Sequence, residues 1–183
     1  KYVVGGKERY DSVYNGIRAV DPSCGVIVIH DGVRPFVTEK MIEDSIEYAI
    51  RDGACVCAVK SKDTVKICKA DGFVDHTPDR ELVYNVQTPQ TFRRDIIERA
   101  YRTAFERGVF GTDDASLAEN CGIPVRIIEG SYDNIKNQVI LFYLAMQACY
   151  ILYKLDFDTE NITCKFSKNF SMHIKQKQTK PIL

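Results

Sequence analysis

A chain of 183 residues, 45% hydrophobic and 27% charged, is long enough for one domain with a sizeable core and not comfortably for two. Lys+Arg and Asp+Glu each total 25, which leaves none of the one-signed field that a nucleic-acid or anionic-membrane binder carries. Seven cysteines without a C-x-x-C pair, no visible signal peptide and no apolar stretch of membrane-spanning length lead us to expect a reduced, cytoplasmic protein with no nucleic-acid or membrane partner.

Taken in chain order, Gly5-Gly6-Lys7-Glu8-Arg9 leads into a helix with Asp11 and Ser12 near its start. Val26-Ile27-Val28-Ile29 reads as a strand buried on both faces, as a parallel sheet requires. Thr38 is the candidate N-cap of a helix whose inward face is Ile42, Ile46, Ala49 and Ile50, with Gly53 closing it. The next strand covers 54–59. Residues 63–70 and 73–77 around Asp71-Gly72 read as a β-hairpin with one face exposed, whose unpaired edges a second subunit would cover. Gln87-Thr88-Pro89-Gln90-Thr91-Phe92 is polar and contains a proline, and locally it reads as a loop and N-cap. A helix over about 93–107 turns Ile97, Ala100, Ala104 and Phe105 inward and stops at Gly108. Another starts at Thr112, with Asp113 and Asp114 in its first turn, and residues 124–128 form a further strand. Strands alternating with helices give an α/β fold, a mostly parallel sheet with helices on both faces. From about Asp156 the periodicity is lost, so 156–183 reads as a tail and 1–155 as the domain.

His30-Asp31-Gly32-Val33-Arg34-Pro35 follows the first strand directly, at the carboxyl edge where open α/β sheets bind ligands. There Asp31 can hold Mg²⁺, Gly32 admits a ligand to the backbone, and Arg34 can grip a phosphate through two parallel hydrogen bonds. An Asp–Arg pair that merely stiffens the loop explains the same residues. His30 has no second His or Cys at ligand spacing and reads as structural. Gly5-Gly6 before a helix can form an anion site or an ordinary turn, and Lys136 in Asn134-Ile135-Lys136 can be a ligand-edge cation or a surface lysine. No Walker A loop, G-x-G-x-x-G or G-x-S-x-G elbow is present.

In order, Gly5-Gly6-x-x-Arg9-x-x-Ser12-Val13, His30-Asp31-Gly32-x-Arg34-Pro35, Asp63-Thr64, Thr77-x-Asp79-Arg80, Gln87-Thr88-Pro89-Gln90-x-Phe92, Thr112-Asp113-Asp114-Ala115 and Asn134-Ile135-Lys136 span roughly three quarters of the chain. This ordered set resembles the 2-C-methyl-D-erythritol 4-phosphate cytidylyltransferase family, with ribitol-5-phosphate cytidylyltransferase as the close relative. The resemblance implies a Rossmann-like nucleotidyltransferase sheet and a hairpin arm over about 62–82. It implies transfer of a cytidylyl group from CTP to a polyol phosphate with Mg²⁺. Gly6, Lys7, Ser12, Asp31 and Gly32 would line the nucleotide, with Asp31 also near the metal. Arg34, Thr88, Thr112 and Lys136 would surround the phosphorylated substrate, Arg34 and Lys136 taking the catalytic role. Thr64 and Arg80 would complete a partner subunit's site in a homodimer. Two departures go with it. The chain is expected to begin after the family's first strand and Gly-rich phosphate loop, and Asn137-Gln138-Val139-Ile140 replaces the family's usual Thr-rich turn. A fragment that binds no nucleotide and a regulatory nucleotide-binding domain are the competing readings.

Overall fold

The computed structural model describes residues 2–136, 162–167 and 170–174, and the chain divides into two compact units, Lys1–Ile135 and Lys136–Leu183. The first unit holds α1 (Arg9–Ala19), β1 (Val26–Ile29), α2 (Glu39–Asp52), β2 (Ala54–Lys60), β3 (Ile67–Cys68), β4 (Val74–His76), a 3-10 turn (Arg80–Leu82), β5 (Tyr84–Arg93), α3 (Arg94–Arg107), α4 (Asp114–Glu119) and β6 (Arg126–Glu129). In the second, β7 (Ile162–Ser167) pairs with β8 (Phe170–Ile174) in an antiparallel hairpin. The apolar run 139–153 and most of the stretch from Asp156 lie outside the described residues.

The main sheet has the order β1-β5-β2-β6. β5 runs antiparallel to both β1 and β2, while β2 and β6 pair in parallel. Three strands therefore share one direction, within the expected α/β class, and β5 makes the sheet mixed. Residues 87–92, which read locally as a loop and N-cap from their polar side chains and proline, lie inside this inner strand. Burial costs it little because each buried polar group has a partner: Thr91 donates to Ser45 Oγ, Gln90 donates to Asp113, and Gln87 donates to Ser131 O. Hydrophobic periodicity cannot register a strand whose inner face is built this way. β1, expected to be covered on both faces, pairs only with β5 among the described strands, and Val28 is 38% exposed.

Strand alternation divides the core between the two faces of the sheet. Cys55 and Cys57 of β2 face α2 in a cluster with Met41, Ala49 and Ile128. Ala54 and Val56 face the other side, with Phe92, Ile97, Ala100, Tyr101, Leu117 and Ala118. Thr38 caps α2 by accepting the Met41 N–H, and Gly53 ends it at φ 96°, as expected. The buried stripe is Met41, Ser45 and Ala49 instead of the isoleucines, and Ile50 is 59% exposed. Small residues let this helix approach closely enough for Cys55 Sγ to meet Ser45 O, so shape outweighs hydrophobicity in setting its rotation. On the opposite face, α1 docks on α3 through Tyr10, Tyr14, Tyr101, Phe105 and Phe110, with Tyr10 and Phe110 stacked.

β3 and β4 form the expected hairpin around Asp71-Gly72, with the Phe73 N–H donating to Asp71. Residues 66–77 are exposed throughout, so both faces of the arm are open instead of one. No helix among the described residues is long and apolar enough to cross a membrane.

Burial pushes the Cys55 and Cys57 thiols up to about 12, which keeps them protonated and unreactive. In folded protein, iodoacetamide is expected to label exposed Cys24 and Cys68 within minutes and to reach Cys55 and Cys57 only after denaturation, as read by peptide mass mapping. Fast native labelling of Cys55 would contradict the packing of α2.

Candidate functional site

At the carboxyl end of β1 the chain turns through His30 and Asp31, and β5 lies alongside. Asp31 N–H donates to Thr88 Oγ1 at 3.0 Å, and the Thr88 hydroxyl meets His30 Nδ1 at 3.0 Å. His30 Nε2 lies 3.0 Å from Arg34 O. A carbonyl only accepts, so in the neutral ring Nε2 carries the proton and Nδ1 accepts from Thr88. His30 is thus a brace for the loop, as its isolation in the sequence implies. The loop's shape presents Arg34, whose Nη1 donates to Asn134 O at 2.7 Å and whose Nε lies 3.7 Å from Asp31 Oδ2.

Asn134 is completely buried, and its Nδ2 donates to Thr88 O at 2.9 Å and to Gln87 Oε1 at 3.3 Å. Because the Thr88 carbonyl can only accept, the orientation of the Asn134 amide is determined. One residue therefore ties β5, the loop after β6 and Arg34 together. Arg34 Nε and Asn134 Oδ1 are buried atoms with no hydrogen-bond partner among the described residues.

The other Asp31 oxygen faces Arg9. Arg9 Nη2 lies 3.8 Å from Asp31 Oδ1 and donates to Asp114 Oδ2 at 2.7 Å. Asp114 Oδ1 accepts the Tyr101 hydroxyl at 2.5 Å. Burial lowers the Arg9 pKa, but the hydrogen bond and charge of Asp114, together with Asp31, raise it above the usual guanidinium value. Tyr101 is pushed up by burial and further by the Asp114 charge, so it remains a donor.

The Gly5-Gly6 turn is closed by Ser12, which accepts the Gly6 N–H at 2.9 Å and donates to Glu8 O at 3.2 Å. A Cβ on Gly6 would lie 2.1 Å from Asp11 Cβ, so only glycine permits this approach. Gly32 differs: a Cβ there meets nothing within 4 Å, so the chain's own packing does not demand glycine.

Asp31, Arg34 and Thr88 are in one contact network, with Gly32 inside the same loop, and Arg9 links it to the turn carrying Gly6, Lys7 and Ser12. Thr112 is exposed just before α4, and Thr64 and Arg80 are exposed at the base of the hairpin. Lys136 is exposed and opens the second unit. The sequence assigns no site role to Arg9, Asp114, Tyr101, Gln87, Gln90 or Asn134. Arg9 and Asp114 stand 105 positions apart, so no local spacing could pair them. Asn134 belongs to the Asn-Ile-Lys motif, but an uncharged amide gives no local sign of the contacts it makes. No three His, Cys, Asp or Glu side chains among the described residues form a metal cage. A cavity of about 630 Å³ lined by Lys60, Tyr84, Glu129 and Tyr132 includes none of these site residues.

A profile of the 2-C-methyl-D-erythritol 4-phosphate cytidylyltransferase family matches residues 1–143. A relative of that name from Syntrophus aciditrophicus is 51% identical over 134 residues, which are 73% of this chain and 57% of that protein. Another, from Caldanaerobacter subterraneus, is 46% identical over 136 residues, 74% of this chain and 60% of that protein. This chain thus spans less than two thirds of the length of these relatives. Among solved structures, 4-diphosphocytidyl-2C-methyl-D-erythritol synthase from Anaerococcus prevotii superposes with TM-score 0.74 at 38% identity, covering 81% of this chain and 67% of that one. The Thermus thermophilus 2-C-methyl-D-erythritol 4-phosphate cytidylyltransferase gives TM-score 0.67 at 30% identity, covering 79% and 70%. With its sheet, its loop at the end of β1 and these likenesses in agreement, the chain belongs to the 2-C-methyl-D-erythritol 4-phosphate cytidylyltransferase family.

Proposed function

We propose that this protein transfers a cytidylyl group from CTP to 2-C-methyl-D-erythritol 4-phosphate and releases pyrophosphate, a step in isoprenoid precursor synthesis. The observation that carries the reading is the held guanidinium of Arg34, fixed by Asn134 O at the carboxyl end of β1. An oxygen of the acceptor's phosphate attacks the α-phosphorus of CTP. The new P–O bond forms as the bond to the bridging α,β oxygen breaks, and pyrophosphate leaves with that electron pair. The attacking phosphate is already anionic, so no general base is required. Catalysis is positioning and neutralisation of charge, which suits a site built from arginine, lysine and backbone N–H groups.

Arg34 grips phosphate oxygens, and Lys136 adds a second cation, a role that rests on its place in the Asn-Ile-Lys motif. Gly6, Lys7, Ser12, Asp31 and Gly32 line the nucleotide, and Thr88 and Thr112 belong to the acceptor side. Mg²⁺ fits as a phosphate-borne ion: such ions commonly take one or two carboxylates and complete their shell with phosphate and water, and Asp31 is the carboxylate that would hold it. When bound, it supplies charge neutralisation. The hairpin, open on both faces with Phe73 and Val74 exposed, supports a homodimer in which Thr64 and Arg80 complete the partner's site. Free thiols at Cys24, Cys55, Cys57, Cys68 and Cys121 support a cytoplasmic setting.

The test is pyrophosphate release from CTP and Mg²⁺ with and without the acceptor, with ribitol 5-phosphate as the control. Release is expected only with the erythritol phosphate, and Lys136→Ala is expected to lower it about tenfold or more. Absence of saturable CTP binding by the chain would sink this reading.

A further inference from the structure

We propose that Arg9 is a further ligand-contacting cation, on the nucleotide side of Asp31, and that Asp114 and Tyr101 are the positioning residues that aim it. The inference rests on the reading of this site as one for CTP with Mg²⁺. Arg9 occupies the first turn of α1, directly after the Gly5-Gly6 turn that Ser12 closes. Its Nη2 donates to Asp114, yet its side chain remains 41% exposed while that of Asp114 is 1% exposed. A staple between helices would bury both partners; here only the acid is buried. A guanidinium has five N–H donors in a rigid fork, so one bond to Asp114 leaves others for a second partner.

The buried carboxylate is itself fully engaged. Asp114 takes the Tyr101 hydroxyl on one oxygen and Arg9 on the other, and it has no rotational freedom left once both bonds are made. The chain Tyr101–Asp114–Arg9 thus transmits the rigidity of the core to an exposed cation. Arg9 ends 3.8 Å from Asp31, beyond a direct hydrogen bond, and Arg34 stands at the opposite oxygen at 3.7 Å. Asp31 is framed by two guanidinium groups, each anchored by a protein acceptor, Asn134 O for one and Asp114 for the other. An anionic ligand arriving over Gly32 meets both. Lysine at position 9 could reach Asp114, but as a point charge it could not bond that acid and a phosphate in the same fixed geometry.

The experiment is calorimetric titration of the full chain with CTP and Mg²⁺, with melting temperatures recorded for every variant. Arg9→Met is expected to weaken binding about tenfold, and Arg9→Lys to recover less than about threefold of that loss. Tyr101→Phe keeps the ring and removes the hydroxyl; it is expected to weaken binding roughly threefold alone and to have no effect in an Arg9→Met background. Wild-type affinity in Arg9→Met, or in Arg9→Lys should the former not fold, overturns the proposal. So does an equal Tyr101→Phe effect with and without Arg9, which is what a purely structural role gives. No binding by the unaltered chain removes the functional reading and this inference together, whereas binding that the Arg9 variants leave intact removes the inference alone.

Discussion

Arg34→Ala is expected to lower acceptor-dependent pyrophosphate release by about 10²–10³-fold while the chain stays folded. The size follows from where the guanidinium sits. Its side chain is 12% exposed, Nη1 is engaged with Asn134 O, and Nε is buried beside Asp31 without a hydrogen bond among the described residues. A donor held this way needs no reorganisation as negative charge shifts among the oxygens around the phosphorus, and in a partly desolvated loop its interaction is weakly screened. Arg34→Lys is expected to recover little, because an ammonium cannot reproduce the fork that bonds both Asn134 O and a phosphate. Initial rates across CTP and acceptor concentrations check this, alongside thermal melts. A fall confined to KM for CTP would move Arg34 from the transition state to ground-state binding, and a change below about threefold would remove it from the site.

The largest stability effect is expected at Phe92, where truncation to alanine should cost about 3–5 kcal/mol. Phe92 is completely buried in β5, opposite Ile27 of β1 on one side and Ala54 of β2 on the other. It shares its core cluster with Val56, Ile97, Ala100 and Tyr101, so neither sheet nor helix can collapse into the space without losing its own contacts. Against a total stability of order 5–15 kcal/mol, such a loss brings the domain near its unfolding threshold at 37 °C. Phe73→Ala on the exposed hairpin is the contrast, expected within about 0.5 kcal/mol. Urea denaturation midpoints decide it. A cost under about 1 kcal/mol at Phe92 would mean that β5 is not the inner strand described here.

The residues on their own determined the α/β class, the limits of α2 at Thr38 and Gly53, the end of α3 at Gly108 and the Asp71-Gly72 turn. Each of these is a local effect: a cap, a left-handed residue or a hairpin turn acts within a few positions of the chain. The polar turn after β1 was also readable, because an Asp-Gly-x-Arg segment directly after an apolar strand is a local contrast. Tertiary structure alone decided three other matters. β5 became an inner strand because partners from α2, α4 and the loop after β6 satisfy its polar side chains. The rotation of α2 followed the small residues Ser45 and Ala49 that fit against Cys55 and Thr91, leaving Ile42 and Ile50 exposed. Arg9 and Asn134 gained their places from contacts with residues 105 and 46 positions away, Asp114 and Thr88 respectively. Hydrogen-bond partners of that kind arise from how strands and helices cross, and such crossings leave no periodic trace along the chain.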